Sequence, residues 1–273
     1  MKDREQHYMK ISFLGTGTSH GVPSIDCMLS DYSLCRKGVC RASLSDPKQQ
    51  RTRSSILVEY NEKHVLIDVS SDFRTQALRE RIPKIDAVLI THCHSDHITG
   101  IPDIRSYTAH RQDPLPLYGS DESMTVIRNS FSYVFENKAQ VGGGIPRLST
   151  NVINDSFALF GSTIFGFPVD HGGLVGSLGF RIGAMAYIPD CASLQPSALA
   201  ALSGLDVLIL NCLRESTTHS SHLTLEQSIA LSRRIKPRKC YFIHMSHDID
   251  YRTDSAKLDE WMSFSYDGLK IEV

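Results

Sequence analysis

Residues 88–100, VLITHCHSDHITG, place three histidines and one aspartate within six positions. Imidazole and carboxylate groups are ligands that suit zinc, manganese or iron. The four candidate ligands directly follow an apolar run that is typical of a strand. So many ligand-type residues at the end of a strand indicate a metal site rather than a polar loop. The four residues are His92, His94, Asp96 and His97.

The alternation of side chains along a strand predicts how these residues divide between two cations. His92 and His94 are two positions apart, so both imidazoles project to one side and can bind one metal. A turn then brings Asp96 and His97 from a different backbone direction, where they can bind a second metal. Cys93 is expected to face the other way, into the packing.

Three further candidate ligands follow other apolar runs, in FPVDHGG, AYIPDC and CYFIHMSHD. They are His171, Asp190 and His244. Each has a structural explanation when taken singly, because an aspartate can cap a turn and a histidine can lie in a core. Their shared position at strand ends favours a common site. Asp190 suits a bridging position, because a carboxylate has two oxygens and a negative charge to offset two dications.

The elements that must position these ligands are short β-rich runs with helical segments between some of them. Strands come first in hairpin-like pairs and later alternate with helices. This order predicts two packed sheets with helices outside, an α/β fold with four αββα layers. Helices are predicted in SDFRTQALRERI, DESMTVIRNSFSYVF and LTLEQSIALSRRI. Ten runs are predicted to be strands: KISFLGTG, SSILVEY, HVLIDVS, DAVLITH, LPLYG, STIFGFPV, GFRIG, VLILN, CYFIHM and LKIEV.

The length and composition fit a single globular domain. The chain has 273 residues, and its 41% hydrophobic and 22% charged content is ordinary for a folded protein. We therefore predict one domain over 1–273, with loop-rich insertions at 21–54 and 136–150. No run approaches the roughly 20 apolar residues of a membrane span, and the first residues lack a signal-peptide core. The formal net charge of −1 supplies no basic field. We expect a cytoplasmic protein without membrane or nucleic-acid partners.

The ligand motif resembles that of the metallo-β-lactamase superfamily. The signature His-x-His-x-Asp-His stands at 92–97, and the later histidine, aspartate and histidine match 171, 190 and 244. FLGTGTSHGVPSIDC, RTRSSILVEY, LIDVSSDFR, FIHMSHDID and YDGLKIEV are similar to PhnP-type phosphodiesterases, which hydrolyse cyclic phosphate esters of ribose. The resemblance extends from about residue 9 to residue 273.

This resemblance implies a dinuclear centre in which each cation has three ligands of its own and one carboxylate bridges the two. One cation would be bound by His92, His94 and His171, and the other by Asp96, His97 and His244. Asp190 would be the bridging carboxylate. Zinc, manganese and iron are all used in the superfamily. Two such metals can share a water, lower its pKa to give hydroxide near neutral pH, and neutralise a phosphoryl oxygen. The predicted substrate is a small phosphodiester, cyclic ribosyl or nucleotide-like. The resemblance also suggests a homodimer.

Three cysteines in the first insertion resemble a structural zinc site of PhnP-like proteins. Cys27, Cys35 and Cys40 lie within fourteen positions, and the family's fourth ligand corresponds to His247. Three thiolates and one imidazole form the closed tetrahedral set of a structural zinc. The wider spacing departs from the compact family pattern, and three unrelated cytosolic thiols are the alternative.

His222, in SSHLTLEQ, is the candidate proton donor to the leaving oxygen. The segment resembles the histidine loop that serves this role in PhnP and in tRNase Z. Without the resemblance, a helix cap or an exposed histidine would explain His222 equally well. His219 is a weaker competitor. Asp96 is expected to act as both metal ligand and proton acceptor.

Several alternatives stay open. A tRNA 3′-processing nuclease would call for a long basic arm, and the sequence shows none. A lactone or thioester hydrolase would use the same hydroxide on a carbonyl carbon. A metal-binding protein without activity is least favoured, because all seven expected ligand positions are filled. Lys48, Arg51 and Arg53 are expected to lie in a solvated loop rather than to bind phosphate.

Overall fold

The computed structural model describes residues 8–136 and 144–273, which form fourteen strands in two sheets. Most of the predicted insertion at 136–150 is covered by this description, but positions 137–143 lie outside it. The strands are β1 (Met9–Gly15), β2 (Ser55–Tyr60), β3 (Lys63–Ile67), β4 (Ala87–Leu89), β5 (Leu115–Gly119), β6 (Leu148–Val152), β7 (Ser156–Leu159), β8 (Ser162–Pro168), β9 (Leu178–Ile182), β10 (Met185–Ile188), β11 (Val207–Asn211), β12 (Lys239–Ile243), β13 (Met262–Phe264) and β14 (Lys270–Glu272).

Each sheet combines antiparallel and parallel strands. The first sheet has the order β14-β1-β2-β3-β4-β5-β6, and the second has the order β13-β12-β11-β10-β9-β8-β7. In the first sheet β1, β2 and β3 pair antiparallel, and β3 to β6 pair parallel. The second sheet repeats this plan, antiparallel from β7 to β10 and parallel from β10 to β13. Hairpins therefore come first and crossovers later in both halves.

Most of the helices connect parallel strands and cover the outer faces of the sheets, whereas two short helices lie between the antiparallel strands β1 and β2. Two 3₁₀ turns span Ile101–Ile104 and Asp254–Lys257. The α-helices of the described residues are α1 (Ile25–Leu29), α2 (Val39–Ala42), α3 (Phe73–Glu80), α4 (Ser95–Ile98), α5 (Arg105–Thr108), α6 (Asp121–Ser130), α7 (Ser132–Phe135), α8 (Pro196–Ala201) and α9 (Leu225–Ile235). None of them is long and apolar enough to cross a membrane.

Strand β2 shows how the sequence builds the layers. Ile56 and Val58 belong to the cluster between the two sheets, whereas Leu57 belongs to the cluster beneath the helices of the first sheet. Neighbouring side chains of a strand point to opposite faces, so a strand that is apolar at every position is buried on both sides. A third cluster lies on the outer side of the second sheet. The four-layer αββα prediction is confirmed.

Helix α9 begins with a capping box that fixes the preceding loop. Thr224 Oγ1 accepts from the Gln227 backbone N–H, and the Gln227 side chain accepts from the Thr224 N–H. The backbone of Arg214 pairs with Thr224, and Leu225 donates to the Arg214 carbonyl. The loop between β11 and α9 is therefore closed at its base, and it carries His222.

Candidate metal centre

The seven predicted ligands meet where β4, β8, β10 and β12 end. His92 and His94 follow β4, and Asp96 and His97 lie in α4. The ligand atoms form two groups, each within 4.8 Å: His92, His94, His171 and Asp190; and Asp96, His97 and His244. The structure thus brings every residue of the predicted dinuclear set together in two adjacent groups.

Asp190 lies between the two groups. Its Oδ2 is 3.3 Å from His92 Nε2 and 3.3 Å from His97 Nε2. The same oxygen is 3.6 Å from His171 Nε2, and Oδ1 is 3.0 Å from His244 Nδ1. The side chain is only 3% exposed. One buried carboxylate therefore faces imidazoles of both groups, which is the arrangement required of a bridging ligand.

The buried nitrogen of His97 tests whether these residues fit a cation. His97 Nδ1 donates to Asp68 Oδ2 over 2.8 Å, so the lone pair of a neutral ring lies on Nε2. This Nε2 is 3.3 Å from Asp96 Oδ2 and from Asp190 Oδ2, yet it has no hydrogen-bond partner within residues 8–136 and 144–273. Three buried acceptors that face one another need positive charge between them. Tetrahedral ligands at 2.0–2.1 Å from zinc lie roughly 3.3 Å apart. The residues therefore fit divalent cations; which ligand binds which cation stays a prediction.

The electrostatics of the polypeptide alone favour protonation states in which these side chains can bind a metal. Burial lowers the pKa of His171 to about 4 and that of His244 to about 3, so both imidazoles are neutral at neutral pH. Burial also opposes protonation of His97, but Asp96, Asp68 and Asp190 outweigh it and raise the pKa of His97 well above its ordinary value. The three carboxylates thus strongly stabilise a positive charge at His97, which either a proton or a metal ion can supply.

Asp68 orients ligands of both groups and was missed by the sequence analysis. Besides binding His97, it accepts from Thr91 Oγ1 at 2.8 Å, and Thr91 Oγ1 lies 3.0 Å from His92 Nδ1. Such outer contacts fix the tautomer and direction of ligating histidines. The signal available was an aspartate directly after a buried strand, the same signal that identified Asp190.

His222 lies beside the centre, as the sequence suggested. Its Nε2 is buried, has no hydrogen-bond partner in the described part of the chain, and is 3.7 Å from Asp190 Oδ2. The ring stacks on His244 with 5.1 Å between centroids. His219 Nδ1 is 3.1 Å from His222 Nδ1, on the side away from Asp190. By geometry His222 can serve either as a proton donor or as a ligand, since Asp190, His222 and His244 also form a close group.

The four residues of the predicted structural site are brought together as well. Cys27 lies in α1, Cys40 in α2 and Cys35 between these helices. His247 Nδ1 is 3.2 Å from Cys27 Sγ and 3.4 Å from Cys40 Sγ, and all four ligand atoms lie within 4.8 Å. Burial raises the pKa of the Cys40 thiol to about 12. A thiolate there requires a cation, so this donor set fits zinc.

The expectation of a solvated basic loop is wrong for Arg51. Its side chain is 1% exposed, and it donates to the carbonyls of Ser246 and Ile249, on either side of His247. Arg53 is partly exposed and pairs with Asp72 at 3.0 Å. The buried guanidinium thus has a structural role that charge patterning along the sequence does not show.

A cleft of about 440 Å³ lies between His222, which is beside the dinuclear centre, and the site of Cys27 and His247. Its lining includes His222 from the first site and Cys27 and His247 from the second. Arg214 and His20 also line it. The volume suits a small ligand rather than a single phosphate ion.

Comparison with known proteins agrees with this fold and site. Residues 63–245 match the family model described as Beta-lactamase superfamily domain. The chain therefore belongs to the metallo-β-lactamase superfamily. Its relation to the PhnP-like branch follows from a solved structure described as a new diphosphatase from the PhnP family. That structure is 35% identical, with a TM-score of 0.86 over 97% of this chain and 98% of that chain.

Two curated relatives match over part of their length. An octanoyltransferase of Porphyromonas gingivalis is 34% identical over 96% of this chain and 51% of that protein. A ribonuclease Z of Bradyrhizobium diazoefficiens is 30% identical over 47% of this chain and 44% of that protein. The chain spans about half the length of these relatives or less.

Proposed function

We propose that this protein is a metal-dependent phosphodiesterase that hydrolyses a small phosphate ester, of the cyclic ribosyl or nucleotide-like class. The observation that carries the proposal is the buried His97 Nε2, which has no hydrogen-bond partner among the described residues and lies 3.3 Å from both Asp96 Oδ2 and Asp190 Oδ2. The names diphosphatase and ribonuclease Z, borne by two relatives, both denote cleavage at phosphorus.

The residues that would hold the cations are Asp190 and the six other predicted ligands grouped around it. When bound, two divalent cations supply Lewis acidity toward a phosphoryl oxygen and lower the pKa of water. Zinc, manganese and iron all suit the donor set. A further zinc is proposed at Cys27, Cys35, Cys40 and His247, where it would hold the first insertion in place.

The chain's own groups supply the proton chemistry of the proposed reaction. Among the described residues His222 Nε2 has no hydrogen-bond partner, and it lies 3.7 Å from Asp190 Oδ2, so a proton held there can pass to the leaving oxygen. Asp96 lies against His97 and can accept the proton that the attacking water molecule loses. Asp68 and Thr91 hold the imidazoles of His97 and His92 in direction throughout.

Arg214 supports an anionic substrate. Its side chain lines the cleft, and within the described part of the chain it has neither an ion pair nor a hydrogen bond from its guanidinium. A guanidinium matches the geometry of phosphate oxygens. Because Arg214 is partly buried and pairs with no carboxylate among the described residues, it favours a phosphate ester over a neutral lactone.

The partners and location follow from the same proposal. A small-molecule phosphodiester is the expected partner, and a homodimer stays a prediction. A cytoplasmic location, without membrane or nucleic-acid binding, is likewise proposed.

The deciding experiment combines elemental analysis with activity assays on one preparation. We expect about three metal ions per chain, with hydrolysis of bis(p-nitrophenyl) phosphate and of a ribosyl cyclic phosphate. Asp190→Ala is the control for hydrolysis that does not depend on the centre. Full metal content without phosphodiester turnover would contradict the proposal. Thioester, lactone and tRNA precursor substrates, assayed in parallel, would then identify the alternative.

A further inference from the structure

The cleft beside the metal centre has two walls that are far apart in sequence. One wall belongs to the first insertion and includes Ser24, Cys27 and Leu34. The other belongs to the loop between β11 and α9 and includes Arg214 and His222. A contact that joins these two segments can therefore influence the width of the cleft.

Lys37 and Glu215 make such a contact. Lys37 lies between Cys35 and Cys40 in the insertion, and its Nζ is 2.7 Å from Glu215 Oε2 in the opposite loop. The same Nζ is 2.6 Å from Asp254, whose side chain is only 3% exposed. Lys257 contacts both carboxylates from the other side. Four alternating charges thus form a closed group across the two walls.

The loop has little else to hold it near the insertion. Between 215 and 218, Glu215 has the one side chain that forms an ion pair or hydrogen bond to described residues. The loop is closed at its base by the backbone of Arg214 and Thr224, and Ser221 contributes its carbonyl to His171. The outer part of the loop is therefore anchored to the insertion through Glu215.

An exposed ion pair is usually weak, because two long side chains must be ordered in water. Lys37 differs, because the buried Asp254 already fixes its ammonium group. Glu215 thus pairs with a cation whose position is set in advance, which reduces the entropy lost on pairing.

We propose that Lys37 and Glu215 act as a clamp that sets the width of the cleft and the position of the loop bearing His222. The effect on turnover that this inference predicts rests on the proposed function. The two are positioning residues: among the described residues, no hydrogen bond or ion pair joins either of them to a candidate metal ligand.

The first test is kinetic. Glu215→Gln removes the charge that spans the walls while leaving Asp254 both of its lysines. We expect kcat/KM for a phosphodiester to fall about five- to tenfold, mostly in kcat, because displacement of a catalytic group costs rate strongly. Metal content should equal that of the wild type. Lys37→Gln should repeat the loss, and Lys37→Arg should recover most of it. Arg36→Gln, which removes the neighbouring exposed cation, is the matched control.

The second test needs no substrate. Amide hydrogen exchange over residues 213–223 should speed up in Glu215→Gln and Lys37→Gln but not in Arg36→Gln. Unchanged exchange, or equal kinetic loss in Arg36→Gln, would overturn the clamp. If the wild type fails to hydrolyse phosphodiesters, the proposed function fails, and the exchange experiment still decides the clamp.

Discussion

His97 and Asp68 form a buried pair in which Nδ1 and Oδ2 are 2.8 Å apart and both side chains are fully inaccessible. Through Thr91 the same carboxylate also reaches His92, which belongs to the other ligand group. One outer carboxylate therefore orients an imidazole toward each of the two predicted cation positions.

Asp68→Asn is expected to weaken metal binding about 10- to 100-fold without unfolding the protein. The amide keeps the size of the side chain but loses the charge that holds the Nδ1 proton of His97. Competition with a chelator, followed by elemental analysis, measures the effect. Asp206→Asn, at an exposed pair with Arg238, is the control. If Asp68→Asn binds metal with unaltered affinity, Thr91 and side-chain packing are sufficient to orient the ligating histidines.

Asp190→Ala should abolish metal binding at the dinuclear centre together with activity. The substitution removes the only carboxylate that approaches imidazoles of both groups among the described residues, at 3.0–3.6 Å. Metal content per chain and bis(p-nitrophenyl) phosphate turnover are the two readouts. A variant that keeps two tightly bound metals would exclude the bridging role.

Much of this architecture was predictable because local patterns carry it. Apolar runs before His92, His171 and His244 are strands that end at one edge of the sandwich. All ten predicted strands are present. β6 and β7 were not predicted, because LSTNV and SFAL are short and largely not buried, and their pairing comes from neighbours in the sheet. β13 has only three residues and gives no periodicity, and β10 is absent from the predicted strands although its apolar run was used to identify Asp190.

Contacts distant in sequence could not be predicted in the same way. Arg51 looks like part of a basic surface run, yet it donates to Ser246 and Ile249, about 200 positions away in the chain. Nothing in the spacing of a single arginine encodes buried carbonyl partners. The same holds for Lys37 and Glu215, which form an ion pair only because the fold brings two distant loops together.

His222→Ala is expected to keep both metals and lose turnover by about 10²- to 10⁴-fold, as removal of a general acid does. The loss should shrink for substrates with a good leaving group, because p-nitrophenolate needs no proton. Elemental analysis and comparison of two leaving groups measure this. If the metals are lost, His222 is a ligand through its proximity to Asp190 and His244.

Cys40→Ser should remove one metal per chain and leave the dinuclear pair. The Sγ of Cys40 is 3.4 Å from His247 and lies among the other two thiols. Because a structural zinc stabilises the fold around it, the thermal midpoint should fall as well. Cys240→Ala, in the core of the second sheet, is the control for loss of a buried thiol. An unchanged metal count would favour three unrelated cysteines.

Asp254 should make the stability of the protein depend on acid pH. Burial would raise its pKa, but hydrogen bonds from Lys257, Lys37 and the Asp250 backbone outweigh this and lower the pKa below its ordinary value. A carboxyl with a depressed folded-state pKa stabilises the fold at pH values above its unfolded pKa of about 3.9. That contribution is lost as the pH falls through the folded-state pKa.

Asp254→Asn should therefore lower the free energy of unfolding by about 2 kcal/mol at neutral pH, the scale of a charged hydrogen bond. The difference from wild type should stay constant down to about pH 5 and shrink below about pH 4. Urea unfolding at several pH values measures it. Asp259→Asn, at an exposed pair with Arg233, is the control. A difference that persists undiminished at acid pH would mean that Asp254 contributes by shape and not by charge.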